Sequence, residues 1–92
     1  MRRVIPLLLA MLLAACATKP PVQEMAEARS AVKAAREMPG EQPRANAYLK
    51  SAEQSLQEAS EAIKRERYEH ARQKAIEAKR QAQWAAQIKQ SR

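Results

Sequence analysis

From Pro43 to Arg92 the chain contains no further proline and no glycine. This uninterrupted stretch constrains the fold more than any other feature. It is built mainly from Ala, Glu, Gln, Lys, Arg and Leu, which are good helix formers, and no alternating β-branched segment occurs in it or elsewhere. The breaks lie upstream. Pro20-Pro21 closes one segment, and Pro39-Gly40-Glu41-Gln42-Pro43 carries the single glycine of the chain between two prolines. Glycine suits the C-terminus of a helix and proline the first turn of the next. The punctuation predicts an all-α chain whose first helix covers about residues 22–38.

Apolar spacing resolves the rest. Val22, Met25, Ala28, Val32 and Ala35 recur at three- and four-residue steps, as on one face of a helix. Leu49, Ala52, Leu56, Ala59 and Ile63 do the same, and so do Tyr68, Ala71, Ala75, Ala78, Ala82 and Ala85. Two readings are open for residues 43–90: one continuous helix, about 72 Å long at 1.5 Å per residue, or a hairpin. The two stripes are out of phase. Continued past Ile63, the first would bury Glu66, His70, Gln73 and Glu77, and at 100° per residue the mean directions of the stripes differ by roughly 90°. The jump falls at Lys64-Arg65-Glu66-Arg67, the most polar tetrapeptide of the region. The favoured reading is a tight turn there, with helices at about 43–64 and 68–90 packed as an antiparallel, Ala-lined hairpin. Neither Gly, Asn nor Asp is present to enforce it.

Alanine along the last helix lets two backbones approach near the lower end of the 8–10 Å range. Ile76, Trp84 and Ile88 lie off this stripe. They are either a cap against the first helix or an exposed interaction face, and they are the candidate binding residues of the chain.

The N-terminal residues carry an address. Arg2-Arg3, an apolar run from Val4 to Leu13 and small residues ahead of Cys16 have the form of a bacterial secretion signal. The run is about ten residues, whereas a spanning helix needs roughly 20. Val4-Ile5-Pro6 does not continue a twin-arginine pattern. Leu13-Ala14-Ala15-Cys16 resembles the lipobox of bacterial lipoproteins. That resemblance implies a helical signal peptide, residues 1–15, cleaved between Ala15 and Cys16, with diacylglyceryl transfer to the Cys16 thiol and acylation of the freed amine. A disulfide has no second cysteine to use. The expected organisation is therefore a signal peptide, a lipidated tether at 16–21 spanning about 15–20 Å, and a small helical domain at 22–92. Ala17 rather than Asp follows the cysteine. By analogy with enterobacterial sorting, this favours the inner leaflet of the outer membrane, facing the periplasm.

A second resemblance covers most of residues 26–86. Ala52-x3-Leu56-x2-Ala59 leads into Ile63-Lys64-Arg65-Glu66-Arg67-Tyr68-Glu69-His70-Ala71-Arg72, followed by Ala75 and Ala78. This resembles a family of small, Ala-rich envelope lipoprotein domains of unknown function that form a tetratricopeptide-like helical hairpin. Tyr68, Ala71 and Arg72 match its pattern, while Glu66 and Arg67 stand where it has Gly-Asp or Gly-Asn. Ala28-Arg29 and Ala34-Ala35-Arg36 fit its repetitive style. The resemblance implies an envelope protein without an assigned activity.

Charge and chemistry narrow the function classes. The chain has formal net charge +7; without Arg2 and Arg3, 15 basic residues face 10 acidic ones, all glutamate. In a cytosolic protein such a balance points to nucleic acid, a partner that export removes. Phospholipid headgroups and the carboxylates of peptidoglycan stem peptides remain, although charges of both signs are interspersed as on a solvated helical surface. His70 is the sole histidine, beside Glu66 and Glu69 at the polar start of the last helix, where a lone surface histidine reads as solvated rather than as part of a catalytic set. There is no glycine-rich phosphate loop, no metal-ligand spacing and no cofactor motif, so an enzyme is not expected. Trp84 follows Arg80 by one turn, within reach of a cation–π contact. The expected function is a lipid-anchored, periplasm-facing module whose hairpin docks an envelope protein. The alternative is an oligomeric spacer between membrane and peptidoglycan, in the manner of the murein lipoprotein. The break at Pro39–Pro43 and the sequence Lys89-Gln90-Ser91-Arg92, which lacks that protein's C-terminal lysine, count against it. Expected partners are the membrane through the lipid on Cys16, an unidentified envelope protein or peptidoglycan, and a second copy of the chain.

Overall fold

The computed structural model describes residues 19–91, which form three helices. They are α1 (Val22–Glu37), α2 (Pro43–Lys64) and α3 (Tyr68–Gln90), and no strand occurs among the described residues. The expected spans of α2 and α3 hold. The first helix stops one residue short of the expectation, because Met38 precedes Pro39 and takes an extended conformation (φ −68°, ψ 139°). A residue before proline is pushed out of the helical region by the pyrrolidine ring. Gly40 then adopts φ +120°, open in practice to glycine alone, and Pro43 opens α2 in its first turn.

The turn between α2 and α3 settles the choice between rod and hairpin. Glu66 N–H donates to Ile63 O at 2.9 Å and Arg67 N–H donates to Ala62 O at 2.8 Å. With Arg65 as the C-cap, these are the paired bonds of a Schellman motif. Its left-handed position is filled by Glu66, at φ 59°. The hairpin therefore closes with a glutamate where glycine is the usual occupant.

Three interhelical contacts fix the direction of α1. Glu24 meets Arg72, Glu27 meets Lys79, and Ala35 and Met38 lie at Lys89. Helix α1 thus runs parallel to α3 and antiparallel to α2. The bundle has a turn end, holding Arg65–Arg67 and the start of α1, and an open end, holding the Met38–Gln42 link and the C-terminus of α3.

Alanine forms most of the interior. Ala71, Ala75, Ala78, Ala82 and Ala85 of α3 are fully buried, as are Ala45, Ala52 and Ala59 of α2 and Ala28 and Ala35 of α1. Helix α3 packs against both other helices, and small side chains along it allow that close approach. On α2 the seam follows Ala45, Leu49, Ala52, Ser55, Ala59 and Ala62. Leu56 and Ile63, expected within it, are half-buried at its edge because the close approach admits only small groups. Ser55 is satisfied there by donating to Gln81 Oε1 at 3.1 Å. Met25, Val32 and Leu49 supply the bulk on the α1 side. Val22, also expected on the inward face, is 72% exposed. Pro21, assigned to the tether from sequence, is fully buried, and its carbonyl accepts the Met25 N–H.

Candidate functional site

Of the exposed large apolar residues, Val22 stands at the start of α1, whereas Ile76 and Trp84 share the outer side of α3, Trp84 towards the open end. Trp84 of α3 and Tyr48 of α2 meet edge to face, with ring centroids 5.5 Å apart and an interplanar angle of 65°. Such a pair holds both rings without burying them, and Trp84 remains 43% exposed. Arg44, Tyr48, Trp84, Gln87, Ile88 and Ser91 line an open depression of about 440 Å³. A neighbouring one, about 360 Å³, is lined by Ile76, Arg80 and Trp84 with Gln73, Glu77 and Gln81.

The three sequence candidates divide. Ile88 is half-buried, packs against the core cluster shared by the three helices and lines the depression with Arg44 and Tyr48 of α2. Trp84 leans on Tyr48 of α2 rather than on α1. Ile76 is 39% exposed. Trp84 and Ile76 therefore line a shared surface, which Ile88 anchors from below. Tyr48 was missed by the periodicity because it lies one position off the inward stripe. A signal for it exists: Tyr48 and Trp84 each lie 18 residues from Glu66, and an antiparallel hairpin closing at Glu66 brings equidistant positions together.

Lys89 is the other residue that sequence reading passed over. It is 8% exposed, and its Nζ donates to Ala35 O at 2.9 Å and to Met38 O at 3.1 Å. The last carbonyls of α1 have no helical partners of their own, and a cation there complements the helix dipole. One α3 side chain thus caps α1 across the bundle.

Ion pairs complete the assembly. Arg36 pairs with Glu53 between α1 and α2, and Lys74 pairs with Glu58 at 3.0 Å between α3 and α2. The hydrogen bond from Lys79, then that from Gln23, holds the Glu27 carboxyl below the usual carboxylate range. Hydrogen bonds to Glu58 and then Glu77 push Lys74 above the usual lysine value. His70 sits at the turn end on a depression shared with Glu58, Glu61, Arg65 and Arg67. Among the described residues no three His, Cys, Asp or Glu side chains converge as a metal site would require, and no helix is long and apolar enough to cross a membrane. The signal peptide at 1–15, the cleavage point at Ala15 and the lipidation site Cys16 lie outside the described residues.

A family model described as Domain of unknown function (DUF4398) matches residues 23–92. The chain belongs to this family. The match begins one residue into α1 and takes in all three helices, so the DUF4398 unit is the whole bundle rather than the hairpin alone. No curated protein and no solved structure matches the chain.

Proposed function

We propose that this DUF4398 chain is a lipid-anchored, periplasm-facing protein of the bacterial envelope whose three-helix bundle is an interaction module. The reading is carried by Leu13-Ala14-Ala15-Cys16, preceded by Arg2-Arg3 and a short apolar run and followed within five residues by the buried start of the bundle at Pro21. A tether that short keeps the turn end within about 17 Å of an anchor on Cys16. The Trp84–Tyr48 surface with Ile76 is the docking face. A rod-like spacer fits less well, since the longest helix among the described residues has 23 residues, about 35 Å.

Metabolic labelling with a palmitate analogue, on the native chain and on Cys16→Ser, tests the anchor. The native chain is expected to take up label and fractionate with membranes, and the variant to lose both. Membrane retention of an unlabelled Cys16→Ser chain would overturn the anchored reading.

A further inference from the structure

The bundle is electrically polarised along its axis. Residues 29–53 and 79–91, which build the open end, hold eight Lys and Arg against three Glu. Residues 19–28 and 54–78, which build the turn end, hold six against seven. The two ends are therefore basic and near neutral. Among the described residues Arg29, Lys33, Arg44, Lys50 and Arg80 make no ion pair, and neither do Lys19, Lys64, Arg65 and Arg67 of the turn end, where nearby glutamates balance the charge. The first five are exposed and belong to the basic end, where they outnumber the glutamates.

The exposed aromatic surface lies at that same end. Arg44 and Arg80 each line a depression that Trp84 also lines, so guanidinium groups flank the Tyr48–Trp84 pair on two sides. The flat, half-exposed indole suits the apolar face of a sugar ring, and guanidinium forks suit carboxylates. Arg29 and Lys33 line a second depression with Arg36, and Lys50 lines a third with Lys89, so cations recur over the end, which fits a polymer presenting carboxylates repeatedly.

We propose that the open end binds peptidoglycan, with Trp84 and Tyr48 as a platform for a glycan ring and Arg44 and Arg80 holding stem-peptide carboxylates. This rests on the reading that the chain faces the periplasm. The tether joins the bundle at Pro21, at the turn end, and the basic end lies a helix length from it, about 35 Å along α3.

The full chain, extracted in detergent, is co-sedimented with peptidoglycan sacculi stripped of protein, at low and at high salt. Retention at low salt, weakened by salt, is expected. Arg44→Gln with Arg80→Gln, and separately Trp84→Ala, are expected to reduce retention on the order of tenfold. Arg65→Gln with Arg67→Gln removes the same charge at the turn end and is expected to leave retention unchanged. Helical circular dichroism identifies any variant that fails to fold. No retention on stripped sacculi, or equal losses for the two arginine pairs, would overturn the proposal. So would binding only to sacculi that still carry protein, or only to vesicles containing phosphatidylglycerol, which would assign the end to a protein or a lipid surface. The acyl mass on Cys16 is read separately, so a failed anchor and a failed partner give different results.

Discussion

Glu66 makes the sharpest test of how this chain closes its hairpin. The left-handed conformation costs an L-residue about 1–2 kcal/mol, because Cβ crowds the following carbonyl oxygen. Glu66 holds it at φ 59°, with its side chain exposed and in no ion pair among the described residues. Replacing Glu66 with Gly removes that cost and adds about 0.5–1 kcal/mol of unfolded-state entropy to be lost on folding. The net gain expected for Glu66→Gly is about 0.5–1 kcal/mol, or a rise in Tm of roughly 2–8 °C for a domain this small. Glu66→Ala keeps the Cβ, and with it the strain, and is expected to stay within about 0.5 kcal/mol of the native chain. Arg65 provides the positional control. It sits at φ −93°, where glycine relieves nothing, so Arg65→Gly is expected to lower the Tm. Thermal and urea unfolding followed by circular dichroism measures all three variants. A Tm for Glu66→Gly at or below that of Glu66→Ala would refute the assignment of strain to this residue.

Other perturbations probe the packing and the charges. Ala82→Leu inserts bulk at a fully buried position and is expected to cost about 1–3 kcal/mol, whereas Gln83→Leu on the exposed face is expected to be near neutral in the same unfolding assay. Lys89→Met keeps the aliphatic stem but leaves Ala35 O and Met38 O without their donor; a loss of about 1.5–3 kcal/mol is expected, with faster hydrogen exchange concentrated in the last turn of α1. The pH profile of the urea midpoint has two limbs of known sign. Glu27 titrates lower in the folded chain than in the unfolded one, so its contribution holds above the usual carboxylate range and is lost as pH falls through the folded value. Lys74 titrates higher when folded, so its contribution holds below the usual lysine value and is lost as pH rises through the folded one. Glu27→Gln is expected to flatten the acid limb and Glu58→Gln the alkaline limb; unchanged limbs would refute the pairing.

The sequence disclosed helices and turns well because the signals were local. Proline at 39 and 43, glycine at 40 and the phase break at 64–67 marked every boundary to within a residue, and Met38 missed only because its own restriction comes from the next residue. Side-chain positions were legible where alanine made the inward face unambiguous, as along α3. They were less legible on α2, where hydrophobicity favours Leu56 and Ile63 but the close approach of the helices selects the smaller Ser55 and Ala62. Lys89 was invisible for a related reason. A buried lysine reads as surface until the carbonyls that receive it, 51 and 54 residues earlier in the chain, are placed beside it. The exposed aromatic surface was half legible: Trp84 and Ile76 stand out by composition, while Tyr48 and the neighbouring Arg44 join them only once the hairpin register is known.

The parallel pairing of α1 with α3 also sets an order of events. The hairpin closes through contacts such as Glu58–Lys74, local in sequence, whereas the contacts from Glu24, Glu27 and Ala35 to α3 span 48, 52 and 54 residues. Long-range closure is the slower step. As the chain is synthesised, α1 emerges first, yet its partner and the lysine that caps it come last. Until then Met25 and Val32 stay uncovered, and the first helix delivered is the last one held.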